Sequence, residues 1–592
     1  SRDVDPTNRN TALASAFVEE LARCGMKRAV ICPGSRSTPV ALALLREPGI
    51  EATAIVDERS GGFFGLGAAN ATRTPVAVLC TSGTAAANLH PAVCEADEAG
   101  VPMLVLTSDR PPELRGVGAG QTIDQLKLFG SAVRWFAEIG MHHADDAGLL
   151  HFRASACRAF AVAAGDPRPG PVHLNLSWRD PLGPEPDPDA VTAGSQLALK
   201  GRGELPLTEL FRPAARLEPR AVTAITQDLA ETPRGLIVAG IQGDPELGPA
   251  VARLSEASGY PVLAEPTSQA RLGFRGGASL IRAYDAIARV RPQELEPDLV
   301  LRFGDMPTSK ALREWLASLD GCAQLVVDPA GAWSDPSRKA GLTLRADPVV
   351  LAGDLAAALP DVRPDAADGW RELWESANEA AEGEIAAALA ELAEPSEPGV
   401  HAALARAYAP GDLVYTASSM PIRDQEGFAS SQPEDVHFLA NRGANGIDGL
   451  VSCAIGAAAA SGRPTWLVLG DLALHHDSNG LATLRHTSTP VRVVVINNDG
   501  GGIFEFLPQA GQVSREEFEA VFGTPLGLEP ARLAALHSVE HRLLTNLEEI
   551  EQLPRDRHLI AEIRVDRRAN VGVHQGLWER AAEAIRAAVG GS

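Results

Sequence analysis

The segment "TWLVLGDLALHHDSNGLATLRHTSTPVRVVVINNDGGGIFEFLP" spans residues 465–508. "TWLVLGD" is an apolar run closing on Gly470-Asp471, and "NGLATLRHT" reads as a short helix. "VRVVVINND" is a second apolar run, closing on Asn497-Asn498-Asp499. Strand, helix and strand in that order predict one right-handed βαβ crossover. If the two strands are adjacent and parallel, Asp471 and Asn498 both emerge at the carboxyl edge of the sheet, where open α/β sheets bind ligands. One carboxylate and one amide oxygen suit a hard cation such as Mg2+. That ion takes one or two carboxylates and leaves its other positions to carbonyls, water and phosphate. Gly500-Gly501-Gly502 lets backbone approach a phosphate closely.

The same alternation extends outward over the whole chain. In the first third, "RAVICPG", "EATAIVD", "PVAVLCTSG" and "PMLVLTSD" read as strands, with Ala/Leu-rich helical stretches between them. A second set is "RGLIVAGIQGD", "YPVLAEPTSQ", "PDLVLRFGD" and "AQLVVDPAG". A third is "GDLVYTASSM", "VHFLANRG", "TWLVLGD", "VRVVVINND" and "HLIAEIRVD". Near-continuous apolar strands alternating with helices predict parallel sheets covered on both faces. Pro/Asp/Gly-rich linkers at 180–196, near 359–370 and at 392–400 divide the chain. The expected class is therefore α/β, with three doubly wound parallel-sheet domains at residues 1–185, 205–365 and 390–592.

Composition narrows the function. The 592 residues carry 76 acidic against 53 basic side chains, a net charge of −23. Such a surface argues against nucleic acid and anionic membranes, which reward basic patches. Any anionic substrate must be held by local basic residues against the overall field. The seven cysteines form no CxxC pair, and no run of 18 apolar residues occurs. The reading is a cytoplasmic protein with reduced thiols and no membrane insertion.

A second stretch, "IVDERSGGFFGLGAAN" (55–70), places Asp57, Glu58 and Arg59 between an apolar strand and a Gly-rich apolar helix. From the residues alone, either acid is a helix-start acid facing the dipole. Gly65-Leu66-Gly67 reaches Asn70 where a dinucleotide fingerprint needs glycine, and it lies inside a helix pattern, which disfavours a nicotinamide dehydrogenase. His475 and His476 are adjacent and do not converge on one ion. Arg36, Arg110, Arg423 and Arg442 each sit beside a predicted strand end. Arginine grips carboxylates bidentately and stays charged.

The 465–508 segment resembles the Mg2+–diphosphate motif of the thiamine diphosphate-dependent enzymes, a Gly-Asp followed by an Asn at about this interval. Leu472 stands where that family often has glycine. "CPGSRSTP" (32–39), "DERSGGFF" (57–64), "TSGTAAANLHPAV" (81–93), "SDRPPEL" (108–114) and "NRGANGIDG" (441–449) extend the likeness in order along the chain. They are similar to the family's menaquinone-pathway branch, which decarboxylates 2-oxoglutarate and adds the succinyl carbanion equivalent to isochorismate. The middle domain matches least.

The resemblance implies the pyrimidine, central and diphosphate domain arrangement, with thiamine diphosphate and Mg2+ as cofactors and Mn2+ as a substitute. Asp471, Asn498 and the Gly500 carbonyl would hold the metal. Gly470, Ile447, Ile503, Phe504 and Leu507 would border the cofactor, with Ile447 as the wedge that bends it. Glu58 would be the catalytic acid against N1′ of the aminopyrimidine ring, leaving Asp57 as the local structural acid. Arg36, Arg110, Gln121, Lys310, Ser419, Arg423 and Arg442 would contact substrate, with Ser419 and Arg423 at the succinyl end. A Lys-Arg pair can occur in the family where this chain has Lys310-Ala311. The active site would lie at the subunit interface of a homodimer or homotetramer. Rival readings are another thiamine enzyme acting on 2-oxo acids, acetohydroxyacid synthase-like or a decarboxylase, and a non-catalytic metabolite-binding relative.

Overall fold

The computed structural model describes residues 4–165, 167–429 and 432–590. Among them the apolar runs become strands of three six-stranded sheets, and every register that is defined is parallel. The first sheet contains β1 (Arg28–Ile31), β2 (Glu51–Ala54), β3 (Val76–Cys80), β4 (Met103–Asp109), β5 (Trp135–Glu138) and β6 (Pro171–Ser177). The second contains β7 (Gly235–Ala239), β8 (Val262–Ala264), β9 (Leu280–Ile281), β10 (Leu299–Phe303), β11 (Ala323–Val327) and β12 (Ala340–Leu344). The third contains β13 (Leu413–Thr416), β14 (His437–Leu439), β15 (Thr465–Gly470), β16 (Val491–Asn497), β17 (Glu540–Leu544) and β18 (Leu559–Arg564). β3, β4, β7, β10 and β13 are buried at every residue, as helices on both faces require.

Strand order shows where ligands belong. The first sheet runs β2-β1-β3-β4-β6-β5, and the third repeats that topology as β14-β13-β15-β16-β18-β17. The second runs β12-β11-β10-β7-β8-β9. Each has a switch point, between β1 and β3, between β7 and β10, and between β13 and β15, and in the first and third sheets the last two strands also exchange places. At such a switch point the loops leaving the carboxyl ends part and open a crevice.

By contact density the chain makes two compact units. One comprises the residues up to Arg212 with Asn441–Arg463 and His476–Val491; the other comprises Pro213–Ala440, Pro464–His475 and Arg492 onward. In the first unit, helix Glu58–Thr72 crosses helix Leu450–Ser461 almost backbone to backbone. A Cβ on Gly67 would fall 1.9 Å from the Cys453 carbonyl oxygen, and one on Gly456 would fall 2.1 Å from that of Phe64. The Gly-Leu-Gly string is thus helix-packing chemistry. The second unit holds the second and third sheets. There the long helices Asp365–Ala390 and Arg567–Gly590 bring Trp370, Trp374, Ile385, Leu577 and Val589 into one apolar cluster with Leu236 and Val238 of β7. Among the described residues no helix is long and apolar enough to cross a membrane.

Candidate active site

The carboxyl edge of the third sheet carries an unusual polar group. β15 and β16 are neighbours, so Asp471 and Asn498, the residues that follow them, stand at adjacent strand ends. Both carboxylate oxygens of Asp471 and Oδ1 of Asn498 are buried without a hydrogen-bond partner among the described residues. Burial pushes the Asp471 carboxyl up to about 6, while the N–H groups of Asp471, Asn498 and Gly500 draw it back without closing a hydrogen bond. A buried acid left so is costly unless a cation completes it. Three oxygens that only accept fit a hard cation. No cluster of three His, Cys, Asp or Glu exists among the described residues to offer another metal centre, and His475 and His476 are exposed.

The glycine run shapes this loop. Gly500 has φ +143°, and a Cβ there would fall 2.1 Å from the Gly523 carbonyl oxygen. A Cβ on Gly502 would fall 2.4 Å from Nδ2 of Asn498. Only glycine passes at position 500, and at 502 a larger residue would push on the Asn498 amide. Ile503 and Phe504 follow in the turn Gly502–Phe506, half-buried, and Leu507 is 38% exposed. They are therefore not a helix core face.

On the other side of the β13/β15 switch point, Ser419 precedes helix Met420–Phe428 at φ +74°, ψ −133°. A non-glycine residue there is strained by about 1–3 kcal/mol, a cost that accumulates at functional sites. Its carbonyl accepts a 2.5 Å hydrogen bond from Arg423. Lys310 is turned to solvent and paired with Glu314 at 3.5 Å. The residue of helix Lys310–Ser318 that approaches Arg423 is Arg313. Desolvation, then the Arg313 charge, lowers the Arg423 guanidinium. The two helices are tied to neighbouring residues, Ser309 to Asp285 at 2.6 Å and Glu426 to Tyr284 at 2.6 Å. Among the described residues neither Arg313 nor Arg423 has an acid partner in an ion pair.

In the first unit, the junction after β2 separates its two acids. Asp57 caps helix Glu58–Thr72, accepting from the Arg59 N–H at 3.0 Å, from the Arg59 guanidinium at 3.1 and 2.8 Å, and from Asn479 at 3.0 Å. Burial alone would raise this carboxyl, but the hydrogen bonds from Arg59 and Asn479 outweigh it and bring it down to about 2. Glu58 opens the helix half-buried, with no hydrogen bond to its carboxylate among the described residues. It stands close enough to the buried thiols Cys32 and Cys80 to help raise both, after burial itself.

Arg36, Arg110 and Gln121 come together beyond β1, β3 and β4. Arg36 donates to the Trp178 carbonyl at 2.8 Å and leaves Nε buried and unpartnered. Burial, then the Arg110 charge, lowers it. Arg110 reaches Ser82 Oγ at 3.3 Å and the Gly120 carbonyl at 2.9 Å, and Gln121 reaches the Ser82 carbonyl at 3.0 Å. Arg442 and Ile447 lie in a loop held by Glu95, which accepts from the Gly443 N–H at 2.9 Å and from that of Ala444. Ile447 is half-buried in that loop and is not a core residue.

Comparison with known proteins decides between the readings. Residues 11–128 match the N-terminal, and residues 428–555 the C-terminal, thiamine pyrophosphate-binding domain of thiamine pyrophosphate enzymes. A 2-succinyl-5-enolpyruvyl-6-hydroxy-3-cyclohexene-1-carboxylate synthase of Myxococcus xanthus is 41% identical, over 98% of each chain. Proteins of the same name from Chloroflexus aurantiacus and Geobacillus kaustophilus are also 41% identical, over 97% of this chain. The chain belongs to this synthase family. It is a thiamine diphosphate-dependent enzyme, and the nicotinamide and non-catalytic readings fall away.

For a synthase of this family, several polar groups near the candidate site carry no signal in residue spacing. Glu397 accepts from Asn498 Nδ2 at 2.8 Å and from Asn570 Nδ2 at 2.8 Å, and His574 bonds Asp424 at 2.7 Å. "LAEPSEPGV" reads as a break because of its prolines, yet Pro398 sits in the first turn of helix Glu397–Ala407, where proline is at home. Arg313 is passed over because Lys310 occupies the position that the family resemblance highlights.

Proposed function

We propose that this chain decarboxylates 2-oxoglutarate and adds the remaining succinyl carbons to the ring of isochorismate, with thiamine diphosphate and Mg2+ as cofactors. The observation that carries the cofactor reading is the set of buried, unpartnered oxygens on Asp471 and Asn498. These two residues, with the Gly500 carbonyl, would hold Mg2+, and Gly470, Ile447, Ile503, Phe504 and Leu507 would border the cofactor. When bound, thiamine diphosphate supplies the nucleophilic carbon and the electron sink. Glu58 would hold the proton at N1′ of the aminopyrimidine. Its freedom from local hydrogen bonds supports that role, since a tuned acid must not be spent on the fold.

Both substrates are dianions, and the −23 chain repels them at long range. Ser419, Arg423 and Arg313 would take the distal carboxylate of 2-oxoglutarate. Arg36, Arg110, Gln121 and Arg442 would take isochorismate, with Lys310 at the margin. Bidentate guanidinium–carboxylate bonds give both charge and orientation. The site would be completed in a homodimer or homotetramer. Val56, two positions before Glu58, is 83% exposed in the single chain, a surface that a second copy would cover. The seven free cysteines are in keeping with a cytoplasmic enzyme, built from domains at 1–185, 205–365 and 390–592.

The test is incubation with thiamine diphosphate, Mg2+, 2-oxoglutarate and isochorismate, with the product followed by mass. The expected product carries the isochorismate skeleton plus the succinyl carbons, with release of CO2. Absence of that mass, or equal turnover of pyruvate in place of 2-oxoglutarate, contradicts the reading.

A further inference from the structure

Glu397 is 2% exposed and lies beside a metal-ligand candidate, yet among the described residues no basic side chain forms an ion pair with it. A carboxylate at a helix start ordinarily stays in solvent, where it answers the dipole cheaply. Here it is buried at a cost. Its contacts show what that cost secures. A carboxylate only accepts hydrogen bonds. Oε1 accepts from Asn498 Nδ2 at 2.8 Å, so the amide must turn its NH2 to Glu397 and its Oδ1 away. That Oδ1 is the buried, unpartnered oxygen that accompanies the two on Asp471. Flipped, the same amide would aim two N–H donors where the cation belongs.

Glu397 is itself held. Oε2 accepts from Asn570 Nδ2 at 2.8 Å, and the Glu397 N–H donates to Asn570 Oδ1 at 3.3 Å. The Asn570 carbonyl accepts from His574 Nδ1 at 2.8 Å, and His574 Nε2 donates to Asp424 at 2.7 Å. Facing a carbonyl and an ionised carboxylate, the imidazole donates from both nitrogens. Although burial would lower it, Asp424 raises its pKa and favours that doubly protonated form. Asp424 follows Arg423 in helix Met420–Phe428. One buried chain of hydrogen bonds thus runs from the helix that carries Arg423 to the amide of Asn498.

We propose that Glu397 is a positioning residue that fixes the Asn498 amide with its oxygen toward the metal, and that Asn570, His574 and Asp424 hold Glu397 in place. The inference rests on the metal reading above and deepens it. Glutamine cannot replace Glu397. It has one oxygen for two donors, and its NH2 would face the NH2 of Asn570 or of Asn498.

The experiment titrates Mn2+ into the protein with thiamine diphosphate, following free Mn2+ by electron paramagnetic resonance. Glu397→Gln is expected to weaken Mn2+ binding by about 10–100-fold, the range for lost outer-shell partners, with the melting temperature of cofactor-free protein unchanged. In an Asn498→Asp background, where no amide needs orienting, the same substitution should cost nothing, a coupling that a purely structural role would not produce. Should Glu397→Gln not fold, Asn570→Ser removes one support of Glu397 and should weaken Mn2+ in the same direction. Mn2+ affinity within twofold of wild type in the folded variant overturns the inference. A wild-type protein that takes up no Mn2+ with thiamine diphosphate overturns the metal reading itself, and this inference with it.

Discussion

Asp57 and Asp471 each lie between a parallel strand and a helix, one in each compact unit. Asp57 is saturated by Arg59 and Asn479 and held down to about 2. Asp471 closes no hydrogen bond among the described residues and is pushed by burial up to about 6. The same residue type at the same kind of junction thus does two different things. Where the lone pairs are used locally, the acid is a cap that sets the direction of a helix. Where they are left over, the fold has kept an acid that something else must complete. The rule also divides Asp57 from its neighbour Glu58, which no described residue engages.

The comparison breaks most sharply at Glu58. Glu58→Gln should cut kcat by about 10²–10⁴-fold, the usual worth of an acid–base group, while the melting temperature stays put. Activity near wild type would make Glu58 a second helix-start acid and erase the distinction from Asp57. A smaller effect is expected at the arginine pair. Arg423→Ala and Arg313→Ala should each raise KM for 2-oxoglutarate by about tenfold, roughly one charge-assisted hydrogen bond, with thiamine diphosphate affinity unchanged. Lys310→Ala should move KM less than either, and the reverse order would return the role to Lys310. The smallest effect on catalysis belongs to Asp57. Asp57→Ala should lower stability by about 1 kcal/mol, the worth of a lost cap, and change kcat by no more than a few-fold. A loss of turnover as large as that of Glu58→Gln would show that the cap is part of the site.

The sheets were legible where strands are buried on both faces. Apolar runs alone reveal β1, β2, β3, β4, β7, β8, β10, β11, β13, β14, β15, β16 and β18. The strands β5, β9, β12 and β17 escape such a reading, and each lies at a sheet edge. "WFAE" is half-buried throughout, "AGLTL" is largely exposed, and β9 has only two residues. β6 is the instructive exception. "PVHLNLS" is buried end to end, but His173 and Asn175 interrupt its apolar run. Both bond Thr107 inside the sheet, at 2.7 and 2.8 Å, with Nδ1 of His173 left buried, and burial lowers His173 to about 3, which keeps its ring neutral. A polar residue whose partner lies on another strand looks like a surface residue in a single sequence.

The candidate site divides in the same way. Asp471 and Asn498 were legible because one crossover fixes their spacing. Glu397 reaches Asn498 across 101 positions and Asn570 reaches Glu397 across 173, and local periodicity holds no trace of that convergence. Arg313 was hidden for a related reason. Which face of its helix meets Arg423 depends on packing against Tyr284 and Asp285.

The central claim is that the unsatisfied acid, and not the satisfied one, marks the cofactor site. The direct measurement is Mn2+ binding in the presence of thiamine diphosphate, made in parallel on wild type, Asp57→Ala and Asp471→Ala. One tightly bound Mn2+ per chain is expected for wild type and Asp57→Ala, and none for Asp471→Ala. Unchanged Mn2+ binding by a folded Asp471→Ala protein would contradict it.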